Sequence, residues 1–556
     1  MTKNEITIND NSNGWGPSKE LVNDMGMPFV LFNKSERLGK IADWTAPTET
    51  KENTTNVQRK RHQMDIPTPT PFNYQPNQED ASFSVVDRAS ASKFGMKSLK
   101  SKSLQRQPML KKVVRYAEKQ PKARETSIKI KDSWKLIDEL DFFRMADLSF
   151  YVEGAEDMYV LKMEKMSIIL ALLILMKTIR DAVHGMLNYY DKSYDKITTK
   201  APKKLAATTK VFVNPTASDD AILKELAENA TEKSIIATDT VLAALMCSPR
   251  SIYSWDIIIS KKGNQLIFDK RSSGVLDYNT VNENAAEPPV ESTEKDTNIN
   301  SHEALASEAT QINRNFSQQV VSESTRVVFS NPHPFIQGDS SEAPSTAYRY
   351  RKWDLDDITL YARTKLDAAM TGKGESAEPI NEVVDSSFPL NTTQFIKVIA
   401  LNEFDSHAVG SGGAPDWTSK LDTQRGAVIA SEMKNNSNKL ARWTTEAILA
   451  GCDYMRLGFV SRSSVRDRKR HQILGTTLLR PEDFAEQINL NIGNGWGIIK
   501  AFADICYDRL SDGKFILMRD PTKPLLRLYQ VSVQAAEPIE IFEEAFEEDA
   551  EDVIDE

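Results

Sequence analysis

The sequence predicts an α+β fold built on a mixed sheet. Strand-like runs of β-branched and aromatic residues are interspersed with helix-like periodic segments, without a regular βαβ rhythm. The chain of 556 residues exceeds one typical domain, and it leaves room for a core of about 300 residues or more. We therefore expect one large folded domain over residues 132–535, with extensions at both ends.

A short helix that leads into a hairpin is the clearest local signal. Thr238 or Asp239 can cap the helix, whose apolar residues follow at helical spacing until a proline ends it. A β-branched and aromatic run over 251–259 then predicts a strand, and a Lys-Gly-Asn turn leads into its partner over 265–269. Asp239 and Tyr253 therefore flank the junction between helix and hairpin.

A longer helix is predicted over 303–321, where Thr310, Asn313 and Arg314 occupy neighbouring positions i, i+3 and i+4. The later part of the chain mixes both kinds of element. Strands are predicted at 348–353, 358–363, 395–404, 426–433, 455–462, 471–478, 514–519 and 526–533. Helices are predicted at 436–449, 481–486 and 495–510.

Charge is segregated along the chain, although the formal net charge is only −9. Residues 93–131 hold 13 Lys and Arg against two acids, and residues 537–556 hold 11 acids and no base. A basic arm over 93–131 and an acidic tail over 536–556 are typical of interaction segments. The arm either contacts nucleic acid or is a solvated, disordered segment.

The N-terminal region, residues 1–92, is rich in polar residues and proline and is predicted to be largely disordered. It contains the large apolar residues Trp15, Phe29 and Trp44, which cannot build a core of their own. Docking onto a partner protein is favoured for them over packing against the main domain.

Motifs of common catalytic and membrane classes are missing from the sequence. It has no phosphate-binding loop and no nucleophile elbow, and neither its six histidines nor its three cysteines show metal spacing. The cysteine pattern fits a reducing compartment. The apolar run 166–176 is too short to cross a bilayer, which needs about 20 residues, so no membrane association is expected.

Two pairs of charged residues end predicted strands. Glu403 and Asp405 end one strand, and Glu432 and Lys434 end another, so each pair would project its charges from one face. Metal-dependent nucleases hold divalent cations with such carboxylates and place a lysine near the attacking water. The alternative, which we favour, is an ion-paired structural cluster.

Aromatic residues alternate with basic residues in three places. These are residues 348–353, the pair Arg442-Trp443, and the Arg-rich run 461–470. Single-stranded RNA is held by stacking on aromatic rings and by phosphate contacts from Arg and Lys. Each place alone is also compatible with plain surface or core, but together they favour RNA binding.

A series of short sequence motifs occurs along nearly the whole chain. They include Asn13-Gly-Trp-Gly-Pro, Arg37-Leu-Gly-Lys-Ile-Ala-Asp-Trp, Ala237-Thr-Asp, Arg250-Ser-Ile-Tyr-Ser-Trp-Asp-Ile, Ile312-Asn-Arg-Asn-Phe-Ser-Gln-Gln, Ala347-Tyr-Arg-Tyr-Arg, Leu421-Asp-Thr-Gln-Arg-Gly-Ala-Val-Ile-Ala and Lys439-Leu-Ala-Arg-Trp. In these motifs the chain resembles the family of the d subunit of eukaryotic translation initiation factor 3.

The resemblance implies a cytoplasmic protein that binds the mRNA cap, is not an enzyme and needs no cofactor or metal. The family's central domain recognises the 7-methylguanosine cap of selected messenger RNAs and helps recruit them to the small ribosomal subunit. Its fold is similar to that of decapping nucleases, and its N-terminal Trp motifs attach it to neighbouring subunits of initiation factor 3, chiefly the e subunit. By residue-by-residue match, the cap contacts are Asp239, Ile252, Tyr253, Thr310, Asn313 and Arg314.

The same resemblance implies an RNA gate, a segment that obstructs RNA access, at about residues 275–289. It also implies that the four charged strand-end residues are the remnant of a nuclease metal site in a domain that now serves to bind RNA: Glu403, Asp405, Glu432 and Lys434. The residues assigned to the gate are Val275, Asp277, Tyr278, Glu283, Glu287, Pro288 and Pro289.

The chain departs from the family pattern in two segments. Residues 158–184 are either a true insertion or the translation of an unremoved intron, and residues 373–392 form a longer surface insertion than usual. Two other functions are alternatives to cap binding. One is an active metal-dependent nuclease for RNA 5′ ends, and the other is a purely structural scaffold of the initiation complex.

Overall fold

The computed structural model describes residues 124–158, 183–228, 232–291, 298–329, 331–336, 343–371 and 393–531. Most of both predicted insertions lies outside the described residues, as do the docking residues Trp15, Phe29 and Trp44, the apolar run 166–176 and the acidic tail. In the part of the chain that is described, no helix is long and apolar enough to cross a membrane.

The described residues form sixteen strands and nine α-helices. The strands are β1 (Lys135–Asp141), β2 (Glu156–Asp157), β3 (Val183–Tyr190), β4 (Lys203–Lys204), β5 (Lys233–Thr238), β6 (Asp256–Lys262), β7 (Gln265–Asp269), β8 (Val321–Val328), β9 (Thr346–Leu355), β10 (Ile358–Leu366), β11 (Ala368–Thr371), β12 (Thr393–Glu403), β13 (Tyr454–Arg462), β14 (His471–Leu479), β15 (Gly513–Arg519) and β16 (Leu525–Gln530). The helices are α1 (Phe142–Ala146), α2 (Ala221–Glu228), α3 (Asp239–Met246), α4 (His302–Gln319), α5 (Trp417–Lys420), α6 (Arg425–Asn435), α7 (Ser437–Ala450), α8 (Pro481–Gln487) and α9 (Ile492–Arg509).

The strands join into one mixed sheet. Across the described residues its order is β1-β16-β15-β6-β7-β5-β10-β9-β3-β11-β12-β13-β14-β4, with β2 beside β9 and β8 beside β3. Parallel pairs, such as β5 with β10 and β12 with β13, occur beside antiparallel ones. Two halves of the sheet meet where β3 pairs with β11 through Tyr189 and Ala369. The predicted α+β class with a mixed sheet is confirmed.

Each half of the sheet has its own apolar core. In the half that contains β5 and β6, α3 and α9 pack on the strands through residues such as Leu242 and Phe502. In the half that contains β12 and β13, α6 and α7 provide the cover. Helix α4 packs on β12 and β13 through Ile312 and Phe316. This places α4 beside the junction of the two halves.

Most predicted elements are confirmed within a few residues. Helix α3 begins at Asp239 after its N-cap Thr238, and it ends before Pro249. Strand β7 occupies the predicted range 265–269, and α4, α7, α8 and α9 match the four later predicted helices. Periodicity is sufficient for these segments because each buries one continuous face.

The strand predicted at 426–433 is wrong, because α6 occupies this range. Val428 and Glu432 lie one helical turn apart and are both buried, so one helix face packs on the domain. The apolar and polar alternation here is too short to distinguish a period of 2 from one of 3.6.

The strand predicted over 251–259 is also shorter than expected. It begins only at Asp256, as β6. The N–H groups of Ile252 and Tyr253 instead donate to the carboxylate of Glu283. The Glu283 side chain thus accepts the two backbone N–H groups that would otherwise donate to a neighbouring strand.

The end of the predicted basic arm contacts the folded domain. Ile128 is buried against Ile516, Met518 and Tyr529 of β15 and β16. Arg271 donates a hydrogen bond of 2.8 Å to the carbonyl oxygen of Ser127. The ordered domain therefore includes residues before position 132.

Candidate functional site

A pocket of about 190 Å³ lies where the two halves of the sheet meet. The first turn of α3, the passage from β10 to β11, the middle of β12, α4 and α7 surround it, together with residues 276–280 and 212–214. Its charged lining residues are Asp239, Asp277, Arg314, Lys365, Asp367, Lys397, Lys439, Arg442 and Glu446. Its aromatic lining residues are Phe212, Tyr278 and Trp443.

Asp239 is the buried carboxylate at the start of α3. Strand β5 ends at Thr238, so the side chain of Asp239 projects from the strand–helix junction. One carboxylate oxygen accepts the N–H of Thr240 at 2.8 Å, and the other accepts the N–H of Lys365 at 2.9 Å. Burial raises the pKa of Asp239, and the nearby ammonium of Lys397 opposes this increase.

Two ion pairs neutralise much of the remaining charge in the pocket. Lys397 contacts Glu446 at 2.8 Å, and Lys365 contacts Asp367 at 3.3 Å. Burial alone would lower the pKa of Lys397, but Glu446, Asp367 and Asp239 together raise it above the ordinary lysine value. Lys397 therefore stays charged, and its carboxylate neighbours hold it in place.

The three predicted residues of α4 all line the pocket, but their roles differ. Thr310 donates to the carbonyl of Ala306, and it accepts the N–H of Asn279 at 2.9 Å. The amide of Asn313 exchanges two hydrogen bonds of 2.9 Å with the backbone of Ala400 in β12. These contacts fix the helix against the strand and against the segment 276–280.

Arg314 presents its guanidinium beside an aromatic ring. The guanidinium carbon lies 5.6 Å from the ring centroid of Phe212, within the range of a cation–π contact. Phe212 and Tyr278 are half-buried, whereas Trp443 is buried. Phe212 and Tyr278 are therefore the rings with surface left to stack on a ligand.

The predicted residues Ile252 and Tyr253 do not line this pocket. Their backbone N–H groups donate to Glu283 at 2.7 and 3.0 Å. The ring of Tyr253 packs edge-on against His302, with centroids 4.1 Å apart. The guanidinium of Arg124 lies 5.3 Å from the centroid of the Tyr253 ring. In this conformation Tyr253 is a covered core residue.

The predicted gate segment is well anchored. Glu283 is buried, and besides the two backbone donors its carboxylate accepts from Thr280 at 3.1 Å and from Asn438 of α7 at 2.9 Å. Asn282 and Asn436 exchange two hydrogen bonds of 2.8 and 2.9 Å. Asparagine and glutamate side chains thus fasten the segment to the start of α7.

The other predicted gate residues occupy varied positions. Asp277 forms an ion pair with Lys270 at 2.5 Å. Pro289 packs against Gly410, where a Cβ atom would lie only 2.7 Å from the Pro289 backbone. Three residues are exposed or half-exposed: Val275, Glu287 and Pro288. Tyr278 and Asp277 reach the pocket, so one end of the gate segment forms part of its wall.

Three of the four predicted strand-end charges lie close enough to act on one another, since Asp405 raises the pKa of Glu403 and Glu403 raises that of Glu432. Glu403 accepts the N–H of Trp417 at 2.9 Å, and Asp405 accepts that of His407 at 2.9 Å. Lys434 points to solvent, and the lysine whose charge acts on Glu432 is Lys439 of α7.

These buried groups have altered pKa values. Burial raises the pKa of Glu403 and that of Glu432 to about 7 each, and it lowers the pKa of Lys439 to about 8. Across the described residues, no three His, Cys, Asp or Glu side chains are grouped so that they could hold a metal ion.

Sequence reasoning missed several lining residues. Phe212 belongs to a short apolar run with no distinguishing pattern, and Lys397 and Glu446 come from separate elements. Trp443 was found as part of the Arg442-Trp443 pair, which does line the pocket. A basic residue next to an aromatic one was thus the signal that located this part of α7.

A family model described as eukaryotic translation initiation factor 3 subunit 7 matches residues 3–111 and 95–530 of the chain. The chain belongs to this family of translation initiation factor subunits. Its relatives include the D subunit of eukaryotic translation initiation factor 3 from Homo sapiens, which is 37% identical over 567 residues that cover 94% of each chain. The D subunit from Botryotinia fuckeliana is 37% identical over 607 residues, 98% of each chain. The family resemblance of the sequence motifs is confirmed.

Solved structures of Rai1 also show some likeness to the chain. Rai1 of Scheffersomyces stipitis gives a TM-score of 0.38 at 11% identity, covering 73% of this chain and 93% of that chain. Rai1 of S. pombe gives a TM-score of 0.35 at 9% identity, covering 71% and 99%.

Proposed function

We propose that the pocket binds the 7-methylguanosine cap of messenger RNA and that this initiation factor subunit thereby selects messages for the small ribosomal subunit. One observation carries the proposal. Four residues predicted as cap contacts, one at the start of α3 and three on α4, line a single pocket that also contains three aromatic rings: Asp239, Thr310, Asn313 and Arg314. Ile252 and Tyr253 contribute indirectly, because they anchor the gate through Glu283.

The chemistry of the pocket suits a methylated, positively charged purine. Phe212 and Tyr278 offer aromatic faces, which attract a cationic ring more strongly than a neutral one. The carboxylate of Asp239 is held in place by two backbone N–H groups and is able to accept hydrogen bonds from the edge of the base. Arg314 supplies a guanidinium for the phosphates that follow the base.

The gate segment supplies a means of control in this proposal. Its carboxylate, Glu283, gathers four donors from three parts of the chain, so the closed position is specific and its release requires several hydrogen bonds to break together. Capped RNA would reach the pocket when the segment 275–289 moves away from α7. In the same proposal, the protein acts in the cytoplasm without catalysing a reaction, and its N-terminal Trp residues bind neighbouring subunits of the initiation factor, chiefly the e subunit.

Crosslinking of cap-labelled RNA to the full chain tests the proposal. Asp239→Asn keeps an acceptor for one of the two backbone N–H groups but removes the charge and the second acceptor. We expect it to weaken labelling about tenfold or more, since a hydrogen bond to a charged group contributes about 1.5–3 kcal/mol. Phe212→Leu keeps apolar volume but loses the ring, and it should weaken labelling as well. Glu283→Ala should increase labelling, because it releases the gate.

Asp453→Asn is the matched control. Asp453 also accepts a strand N–H, from Phe395 at 2.8 Å, but it lies outside the pocket. Its labelling should equal that of the unaltered chain, and free cap analogue should abolish both. Labelling that survives excess cap analogue, or that is the same in Asp239→Asn as in the control, would refute cap binding. Metal-dependent cleavage of the RNA during the assay would favour the nuclease alternative instead.

A further inference from the structure

Two basic segments that are far apart in sequence follow one another along one edge of the sheet. Strand β4 pairs with β14, so that Lys204 lies opposite Gln472 and Lys203 opposite Ile473. Because the pair is antiparallel, the loop before β14 lies next to Lys204 and the residues that follow it, and the N–H of Leu205 donates to the carbonyl of His471 at 2.9 Å. The chain before β4 runs beside the later part of β14, where the hydroxyl of Thr476 donates to the carbonyl of Tyr194. We name residues 192–204 and 463–470 together the basic edge.

The basic edge carries a large excess of positive charge. It contains nine Lys and Arg residues and two acids, Asp195 and Asp467. Both acids have partners within the fold: Asp195 pairs with Arg456 at 2.8 Å, and Asp467 pairs with Arg470. All nine basic residues except Arg468 are exposed. A surface of this kind attracts a polyanion.

The loop of the basic edge has a defined shape. The N–H of Ser463 donates to the carbonyl of Arg470 at 2.8 Å, and the N–H of Asp467 donates to the carbonyl of Ser464 at 2.9 Å. Arg462, buried below the loop, donates to the carbonyl of Val465 at 3.0 Å. Since its backbone is held at both ends, the loop projects its basic side chains from a defined backbone rather than from a solvated tail.

An extended segment, residues 205–214, connects the basic edge with the pocket. It follows α4: the N–H of Ala206 donates to the side chain of Gln319 at 2.7 Å, and that of Thr208 donates to Asn315 at 3.0 Å. Further along, Phe212 lies beside Arg314 and lines the pocket. The segment spans at most about 30 Å. A single strand of a few nucleotides is long enough for that distance.

We propose that the basic edge binds the phosphate backbone of single-stranded RNA whose 5′ end occupies the pocket. The inference rests on the proposed cap binding, and it adds the path of the RNA beyond the cap. RNA is favoured over an acidic protein segment because the edge is continuous with the pocket along residues 205–214. Phosphate contacts of this kind add affinity without sequence preference and make binding dependent on salt.

Binding of two probes to the full chain tests the inference. The probes are a cap dinucleotide and a capped 12-nucleotide RNA, titrated by fluorescence anisotropy over a range of salt concentrations. The edge variant combines four exposed positions of the basic edge: Lys203→Gln, Lys204→Gln, Arg466→Gln and Lys469→Gln. The control variant removes the same charge from exposed positions in or beside β1, β6, β15 and β16, at the other end of the sheet: Lys135→Gln, Lys262→Gln, Lys514→Gln and Lys523→Gln.

We expect the edge variant to bind the cap dinucleotide normally and the capped RNA about tenfold more weakly. The slope of log K against log salt should decrease by about 3, since each lost contact to a single strand contributes about 0.7. The control variant should bind both probes like the unaltered chain.

Three results would overturn the inference. The first is an edge variant that retains its RNA affinity and salt slope, and the second is a control variant that loses as much affinity as the edge variant. The third is polyglutamate that competes for the edge as well as RNA does, which would assign the surface to an acidic protein segment. Failure of the proposed function looks different: the unaltered chain would ignore the cap dinucleotide, while edge-dependent binding of the 12-nucleotide RNA would still support the basic edge.

Discussion

Replacement of Glu403 by Gln should make the protein more stable at alkaline pH. Glu403 ends β12, and its carboxylate accepts the N–H of Trp417 at 2.9 Å. Burial raises the pKa of Glu403 from an ordinary value of 4.5 to about 7. The ionised form is therefore unfavourable in the folded state, and a Gln side chain keeps the acceptor for Trp417 without the charge.

The magnitude follows from the difference between the two pKa values. Between pH 4.5 and 7 the folded state holds a proton that the unfolded state has released, so the free energy of unfolding falls as the pH rises through this range. The shift of about 2.5 units corresponds to about 3 kcal/mol at 1.36 kcal/mol per unit. Glu403→Gln should therefore gain about 3 kcal/mol over the unaltered chain at pH 8, and almost nothing at pH 4.5.

Urea titrations followed by Trp fluorescence at pH 4.5, 6 and 8 measure this difference. Glu153→Gln is the matched control, because Glu153 is exposed in a loop and its replacement should change the free energy of unfolding by no more than about 0.5 kcal/mol at any pH. A Glu403→Gln difference that is the same at all three values of pH, or that favours the unaltered chain at pH 8, would refute the proposed burial of a charged carboxylate.

Two further predictions concern packing and a buried ion pair. Gly458→Ala should lower the free energy of unfolding by about 1–3 kcal/mol, because its Cβ atom would overlap the ring of Phe316. The control Gly426→Ala, which has open space around it at the start of α6, should raise the free energy of unfolding by about 0.4–1 kcal/mol. Equal effects of the two substitutions in urea titrations would contradict the packing of Gly458 against Phe316. Glu308→Ala should cost about 3 kcal/mol or more, since it leaves the buried guanidinium of Arg462, now 2.5 Å from Glu308, without its carboxylate. A thermal midpoint unchanged from that of the parent chain would count against this ion pair.

Local patterns in the sequence were enough to predict much of the fold. The helical period over 303–321 predicted α4 with three pocket residues on it, because a helix that buries one face must repeat its apolar residues every three or four positions. The short helix before the hairpin likewise placed Asp239 at a strand–helix junction. The short sequence motifs shared with the family identified the class of protein, because such a match depends on no tertiary contact.

Only the tertiary structure decided which side chains meet. Tyr253 was a reasonable stacking residue by type, yet its ring packs against His302 and Arg124 away from the pocket, whereas Phe212 lines the pocket. Similarly, Lys434 points to solvent, while Lys439 on the next helix is the lysine that acts on Glu432. In each case the deciding contact joins residues from different elements. Such pairings depend on how strands order within the sheet and on which helix covers them, whereas sequence periodicity reports only the face that a single element buries.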